Sequence, residues 1–433
     1  MMERIKDYLR KVLPKNFILW THKVRGILAI SIYRNPAKKL KVIGVTGTNG
    51  KTTTCNLIAR ILEEGGYKVG MATTINFKIG AKEWKNKTKM TTISPFSLQK
   101  LLAEMVKEQC HYAIIETTSH AISQFRNYGI DYEVAVLTNI THEHLDYHDT
   151  FKEYRDTKAK LFSFYPAASI INNDDPAASY FLQFPAGQTL TYGLQNKPDV
   201  LARKIIFEPT ATLFTVVTPV GQVAVDYHLP GQFNISNALA AISVGISQKV
   251  DLFTTKQALE KVRSMPGRME KVDLGQSFIV IIDYAHTPDA LEKVYQTLKS
   301  SAKAKMIAVL GACGDRDKTK RPILGALAGR FADYAIVTNE DPYTEDAQSI
   351  IDQVAEGVPR GAQKKKSKII GKNFWKILDR REAIRKAFSL AHKDDIVIIT
   401  GKGAEECIVV GHEKKPWSDK KVSKELIREI LNK

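Results

Sequence analysis

Val42-Ile43-Gly44-Val45-Thr46-Gly47-Thr48-Asn49-Gly50-Lys51-Thr52-Thr53 reads as an apolar strand, a glycine-containing loop and the start of a helix. Glycines let backbone N–H groups close round phosphate oxygens, and a helix N-terminus adds a favourable dipole. Lys51 is placed to reach the outer phosphates of a nucleotide, and the Thr52 hydroxyl to hold Mg²⁺. The candidate nucleotide-binding residues are therefore Gly47, Thr48, Asn49, Gly50, Lys51, Thr52 and Thr53. The strict G-x-x-x-x-G-K-[ST] form fails, because Val45 stands at the first glycine position and the loop reads T-G-T-N-G-K-T-T. A turn that merely caps a helix is the bland alternative; Gly-Lys-Thr directly after an apolar strand argues against it.

Outward from this loop, short β-branched runs alternate with helical stretches: Lys41 to Val45, a helix from Lys51 to Glu64, then Tyr112 to Ile115 and Val134 to Thr138. That alternation predicts a mostly parallel sheet with helices on both faces, and it directs attention to the strand-to-helix turns. Between Gly187 and Leu229 the pattern becomes hairpin-like (Thr212 to Val217, Val223 to His228), a small antiparallel section followed by a helix from near Asn234. After Met265-Pro266-Gly267 a second alternating series begins, with strands at Phe278 to Ile282, Met306 to Leu310, Tyr334 to Val337 and Ile396 to Ile399. The expected fold is α/β: a central P-loop-type, doubly wound, mostly parallel sheet domain followed by a second Rossmann-like α/β domain. Residues 1–39 form a basic amphipathic segment of one or two helices, 40–264 the central domain and 265–433 the C-terminal domain.

The 433 residues, 44% apolar and 25% charged, fit a globular chain with more than one core. No run of ~18 apolar residues appears and the basic start lacks a signal-peptide pattern, so a cytoplasmic location without membrane insertion is expected. Cys55, Cys110, Cys313 and Cys407 are too far apart for a metal knuckle or a disulfide scaffold and are read as reduced thiols. A formal net charge of +18 fits nucleic acid, and equally fits an enzyme that draws in polyphosphate and carboxylate substrates. No RNA- or DNA-binding motif accompanies the charge, and the dense run Lys364-Lys365-Lys366-Ser367-Lys368 reads as a solvated loop. The expected partners are small molecules, with no nucleic acid, and the chain is expected to be a monomer.

Glu116 ends the apolar strand Tyr112-Ala113-Ile114-Ile115, where a carboxylate beside the phosphate loop is well placed for Mg²⁺ and could equally cap a helix. Thr138-Asn139-Ile140-Thr141-His142-Glu143-His144-Leu145-Asp146-Tyr147-His148 also follows a strand. Its three histidines alone would suggest zinc, but no cysteine or distant fourth ligand supports that. Lys158 lies in Tyr154-Arg155-Asp156-Thr157-Lys158-Ala159-Lys160-Leu161-Phe162 and would read, by itself, as an exposed helix lysine.

Together these segments resemble the Mur ligase family, closest to its tripeptide-forming (MurE) branch, over residues 40 to 433. The loop T-G-T-N-G-K-T-T is that of the superfamily, which also includes folylpolyglutamate and cyanophycin synthetases. The segment 138–148 is similar to T-N-x-x-x-D-H-L-D-x-H, with Glu143 in place of Asp, and the resemblance gives His144 a part in binding a second Mg²⁺. The segment around Lys158 is similar to A-K-x-x-L-F, whose lysine is carbamylated by CO₂, which would make Lys158 an anionic oxygen ligand. Gly231-Gln232-Phe233-Asn234-Ile235-Ser236-Asn237 resembles the helix start whose second Asn contacts nucleotide, here Asn237. Gly267-Arg268-Met269-Glu270 and Asp283-Tyr284-Ala285-His286-Thr287-Pro288 match segments whose Arg and Asp close over ATP, implying Arg268, Asp283 and His286. Gly311-Ala312-Cys313-Gly314-Asp315-Arg316-Asp317 through Pro322 resembles the run G-x-G-G-D-R-D-x-x-K-R-P of the tripeptide-forming branch. The resemblance therefore implies ATP and Mg²⁺ as cofactors, and Lys51, His144 and Lys158 as the catalytic set.

Enzymes of that branch that add diaminopimelate carry D-N-P-R, whose Arg takes the distal carboxylate; here the segment is Asn339-Glu340-Asp341-Pro342-Tyr343. Gly401-Lys402-Gly403-Ala404-Glu405 resembles G-K-G-H-E, with Glu405 placed to hold the incoming amine. Asp341, Tyr343, Gly401 and Glu405 are the expected amino-acid residues, and the added diamino acid is lysine or diaminopimelate. Thr91, Thr92, Thr118, Gln124 and Arg126 fall at positions that contact UDP-MurNAc-L-Ala-D-Glu in the family. Residues 1–39 stand where the branch has a whole uridine-binding domain, so uridine recognition is expected to be reduced, supplied differently or absent. The expected reaction is attack of the acceptor carboxylate on the γ-phosphate of ATP, then of the amine on the acyl-phosphate, as one step of peptidoglycan synthesis. The alternatives are a related ligase with a non-UDP acceptor (pseudomurein-type or folylpolyglutamate-forming) and a basic nucleotide-dependent nucleic-acid binder.

Overall fold

Val42, Ile43 and Val45 are buried in β1 (Lys41–Thr46), which pairs in parallel with β5 (Tyr112–Glu116) on one side and β6 (Val134–Leu137) on the other. A strand buried on both faces has no need of polar alternation, which is why all three read as unbroken apolar runs. The computed structural model describes residues 14–141, 147–148, 150–207, 211–301, 304–362 and 367–432. The remaining strands of this sheet are β2 (Val69–Ala72), β3 (Asn76–Ile79), β4 (Lys82–Lys85), β7 (Ala168–Asn172), β8 (Gln188–Gly193), β9 (Val200–Phe207), β10 (Thr212–Thr218) and β11 (Gly221–Tyr227). Their order is β11-β10-β9-β8-β7-β6-β1-β5-β2-β3-β4. The strands of the expected small antiparallel section, β10 and β11, lie at the edge of the main sheet. The register pairs Val45 with Glu116 and Thr46 with Leu137, so the phosphate loop, Glu116 and the chain after Leu137 leave the same end of the sheet.

Helix α1 (Lys15–Tyr33) precedes β1, and residues 1–13 of the expected N-terminal segment lie outside the described residues. Helix α2 (Lys51–Glu64) has Gly50 at its N-cap with no side-chain cap, which leaves its first amides turned to the loop. By contrast α3 (Pro95–Lys107) is capped by Ser94, α4 (Ser119–Ser123) by Thr118 and α5 (Phe151–Ala159) by Thr150. Helix α6 (Gln232–Ser247) begins two residues before the expected Asn234. No helix among the described residues is long and apolar enough to cross a membrane.

The chain divides into two compact units, one of residues up to Ile205 with 214–225 and 234–261, the other of 206–213, 226–233 and 262 onward. In the second, β12 (Glu270–Val272), β13 (Ile279–Ile282), β14 (Met306–Leu310), β15 (Tyr334–Thr338), β16 (Phe374–Ile377) and β17 (Ile396–Ile399) form a sheet ordered β12-β13-β17-β14-β15-β16. It is parallel except for β12. A separate hairpin joins β18 (Cys407–Val410) to β19 (Glu413–Pro416). The α/β architecture with a second sheet agrees with the sequence reading. Apolar side chains cover both faces of the sheet, Leu291, Leu324 and Val354 on one and Ile384, Phe388 and Leu426 on the other.

Two helices of this unit, α7 (Lys320–Phe331) and α8 (Ala347–Gly361), meet backbone to backbone. A Cβ on Gly325 or Gly329 would overlap the carbonyl oxygens of Val354 and Val358, and one on Gly357 or Gly361 those of Pro322 and Ala326. Glycine at a four-residue spacing on both helices forms a seam that no side chain can enter.

Candidate active site

At the C-terminal end of β1 the loop closes on itself through the next strand's exit. Gly47 and Gly50 adopt φ of +144° and +84°, conformations that L side chains rarely adopt, and a Cβ on either would overlap Thr138 or Asn237. Asn139 holds the loop reciprocally: its Oδ1 accepts from the Asn49 amide (2.9 Å) and its Nδ2 donates to the Asn49 carbonyl (3.0 Å). The Thr48 amide donates to the Asn139 carbonyl (2.7 Å), and the Thr48 hydroxyl lies 3.0 Å from the Tyr154 hydroxyl. Thr53 is buried in α2, and Thr54 reaches Asn237 Oδ1 at 3.4 Å.

Two lysines converge on this loop from different helices. Lys51 Nζ, at the start of α2, donates to the Gly47 carbonyl (2.9 Å) and the Thr48 carbonyl (2.7 Å). Lys158 Nζ, from α5, donates to the same Gly47 carbonyl (2.9 Å), and Lys158 is only 1% exposed. Lys158 is therefore not the exposed helix lysine that its position alone would suggest. Its burial follows from the face of α5 that also buries Tyr154 and Thr157.

Glu116, 2% exposed, is the second focus. Its carboxylate accepts from the Thr52 hydroxyl (2.9 Å), the Thr74 amide (2.8 Å) and the Thr74 hydroxyl (2.9 Å). The Thr74 hydroxyl in turn accepts from the Thr91 hydroxyl (3.0 Å), and Thr92 donates to the Glu116 carbonyl (2.9 Å). Arg126 donates to the Thr92 carbonyl (2.6 Å) and grips Gln124 Oε1 through Nε and Nη2 (3.0 and 2.6 Å). The Thr118 amide reaches Thr92 at 3.4 Å, and the Thr118 hydroxyl caps α4. The structure thus gathers Thr52, Glu116, Thr91, Thr92, Thr118, Gln124 and Arg126 into one connected set. His142, Glu143, His144, Leu145 and Asp146 lie outside the described residues, and so does the role expected of His144.

In the second unit, Asp283 accepts from the Met269 and Ala285 amides (2.7 Å each) after the end of β13. Burial pushes its carboxyl up, and the Arg268 guanidinium and these amides oppose that. Arg268 lies over the Tyr284 ring at 4.4 Å, and His286 Nδ1 is 2.9 Å from the Tyr284 carbonyl. Asp341, beyond the end of β15, binds Lys402 Nζ through both oxygens (2.9 Å) and accepts from the Val409 amide (2.8 Å). Glu405 completes the grip on Lys402. Beneath them Glu340 accepts from the Cys313 thiol (3.0 Å); burial raises its carboxyl, with Arg380 opposing. A Cβ on Gly401 would overlap that carboxylate, which explains glycine there. Tyr343 adopts φ of +50°, and Arg316 stands 5.4 Å from its ring centre.

Sequence reasoning missed Thr74, which makes two of the three hydrogen bonds to the Glu116 carboxylate, and Tyr154 and Asn139, which shape the loop. Asn139 and Tyr154 stand in the motifs around His144 and Lys158, so a search for polar residues beside the chosen positions would have found them. Thr74 sits just after β2 and carries no local signal.

Two family descriptions match: Mur ligase middle domain over residues 45–245, and Mur ligase, glutamate ligase domain over 267–403. The UDP-N-acetylmuramoyl-L-alanyl-D-glutamate--2,6-diaminopimelate ligase of Bacillus cereus is 39% identical over 429 residues, covering 97% of this chain and 84% of its own length. The UDP-N-acetylmuramyl-tripeptide synthetase of Roseiflexus sp. is 40% identical over 419 residues, with coverage of 93% and 81%. A solved structure of a UDP-N-acetylmuramoyl-L-alanyl-D-glutamate--2,6-diaminopimelate ligase superposes with a TM-score of 0.64 at 31% identity, covering 94% of this chain and 83% of that one. With relatives this similar over nearly its whole length, the chain belongs to the Mur ligase family of ATP-dependent, amide-bond-forming ligases.

Proposed function

We propose that this protein adds a diamino acid, lysine or diaminopimelate, to UDP-MurNAc-L-Ala-D-Glu through an acyl-phosphate, as a step of peptidoglycan precursor synthesis. The observation that carries the reading is the meeting of Lys51 and Lys158 on one loop carbonyl, opposite the Thr52–Glu116 pair. Lys51 at a glycine loop, before a helix whose N-cap is a glycine, suits a polyphosphate. A threonine hydroxyl beside a carboxylate is a set of hard oxygen donors that suits Mg²⁺. ATP and Mg²⁺, when bound, would supply the leaving phosphate and the charge neutralisation for acyl transfer.

The chain's own residues do the rest of the work in this proposal. Lys51 would exchange its loop carbonyls for phosphate oxygens, Thr52 and Glu116 would hold the metal, and Asn237 would face the nucleotide from α6. Lys158, if carbamylated as its family counterpart is, exchanges a buried cation for an anionic oxygen ligand at the same loop. Thr91, Thr92, Thr118, Gln124 and Arg126 orient the acceptor. In the second domain, proposed as residues 265–433, Arg268, Asp283 and His286 serve the nucleotide, while Asp341, Tyr343, Gly401 and Glu405 receive the amino acid.

The test is release of ADP and phosphate by the purified protein with Mg²⁺ and bicarbonate, given UDP-MurNAc-L-Ala-D-Glu and lysine, diaminopimelate, ornithine or glutamate in turn. Turnover with lysine or diaminopimelate is expected. Silence with all four, in a protein that still binds ATP, rejects the proposed acceptor. A ¹³C carbamate resonance after incubation with labelled bicarbonate, absent in Lys158→Ala, tests the modification.

A further inference from the structure

Helix α1 carries apolar side chains all the way round. Its inner face is locked: Gly26 and Ala29 are buried, a Cβ on Gly26 would meet the Phe125 carbonyl at 2.9 Å, and Ile30 lies against Gly129. Its outer face is different. Phe17, Trp20, Ile27, Leu28 and Ile32 are 48%, 59%, 43%, 49% and 64% exposed. At 3.6 residues per turn they form one stripe, opposite Gly26. A helix that is held on one side and still offers such a stripe on the other is built to be covered.

The charge around the stripe indicates what covers it. Lys23 and Arg25 lie on its two flanks, and Arg34, Lys38 and Lys39 follow the helix, while no Asp or Glu occurs anywhere from Tyr8 to Leu62. A second copy of this helix, packed about a two-fold axis, would bring these cations against their own equivalents, and the helix itself carries no acid to offset them. A nucleic acid would use the cations and leave the tryptophan and isoleucines in water. An anionic lipid surface satisfies both features, since the apolar stripe enters the acyl boundary, the tryptophan sits at headgroup level and the flanking cations meet lipid phosphates. We propose that α1 is a membrane-surface anchor that lies on an anionic bilayer, without spanning it, through the Phe17–Ile32 stripe. This assignment is independent of the ligase reaction.

The experiment is sedimentation of the full chain with phosphatidylglycerol/phosphatidylcholine vesicles and with vesicles of phosphatidylcholine alone, alongside light scattering of the protein. Binding to the anionic vesicles is expected, at least ~10-fold weaker to the neutral ones and weakened by a comparable factor in Trp20→Glu/Leu28→Glu. Thermal melting confirms that the variant is folded; should it not be, Lys23→Glu/Arg25→Glu, which leaves the stripe intact, is expected to show the same loss on anionic vesicles. No binding to anionic vesicles, equal binding to both lipids, binding that survives the substitutions, or a dimer that Trp20→Glu/Leu28→Glu dissociates, each overturns the proposal.

Discussion

The phosphate-loop end of the first sheet and the Asp341 end of the second are both polar clusters where strands stop, yet they are held by opposite means. In the first, the cations Lys51 and Lys158 donate to backbone carbonyls and the carboxylate of Glu116 accepts from threonines and an amide. In the second, charge is matched by charge: Lys402 with Asp341 and Glu405, Arg380 with Asp419, Arg321 with Glu345. Neutral partners can be exchanged for a ligand at little cost, whereas a buried ion pair resists being opened. The neutral contacts of the first cluster leave it easier to re-form around a ligand, and the ion pairs of the second hold its loops in place.

The largest effect that would sharpen this contrast is on turnover. Lys51→Ala should lower ligase activity by at least ~10³-fold if, as proposed, Lys51 neutralises the transferred phosphate. The substitution should move the melting temperature much less, because the loop carbonyls that Lys51 bonds are neutral partners. A parallel loss of stability would break the comparison.

Next comes the frame. Arg380 and Asp419 are fully buried, and the guanidinium also holds the Thr400 and Asn339 carbonyls, the bases of the loops bearing Gly401 and Asp341. Arg380→Met should destabilise the second unit by ~3–5 kcal/mol in denaturant unfolding, with part of that recovered in Arg380→Met/Asp419→Leu. Single and double variants that melt alike would refute a pairing role.

A pH titration reads a third ion pair. Hydrogen bonds from Arg321 hold the Glu345 carboxyl down at about 2. A depressed carboxylate contributes stability that is complete above its unfolded value and is lost as pH falls through the folded one, here between the ordinary glutamate range and about 2. Thermal melts of the wild type should fall over that window more steeply than those of Glu345→Gln.

The smallest effect is on selection. Tyr343→Arg should shift the preference between diaminopimelate and lysine by ~10-fold toward diaminopimelate, because a guanidinium offers the distal carboxylate a bidentate partner. An unchanged ratio would place recognition elsewhere, with Arg316, 5.4 Å from the Tyr343 ring centre, the first residue to substitute.

The central strands and the helix from Lys51 to Glu64 were legible because burial on both faces leaves an unbroken apolar run and the loop glycines leave their own mark. The edge strand β16 and the hairpin β18–β19 were not. Phe374-Trp375-Lys376-Ile377 is short and half-exposed, and Glu413-Lys414-Lys415-Pro416 has a composition that disfavours strands, so partner pairing decides both. At the site, single residues with a motif around them were readable, but contacts between distant segments were not. The bonds from Thr74 to Glu116 and from Arg380 to Asp419 span 42 and 39 positions, and no local pattern announces them.

The glycine seam between α7 and α8 has a consequence for how this chain can diverge. At Gly325, Gly329, Gly357 and Gly361 the usable alphabet shrinks to a single letter, while solvent-facing neighbours such as Ile323 and Glu356 remain open to almost any change. A saturation library scored for folding would show four columns that accept glycine alone, beside core columns that accept several apolar residues, and drift in the lineage would have to flow around them.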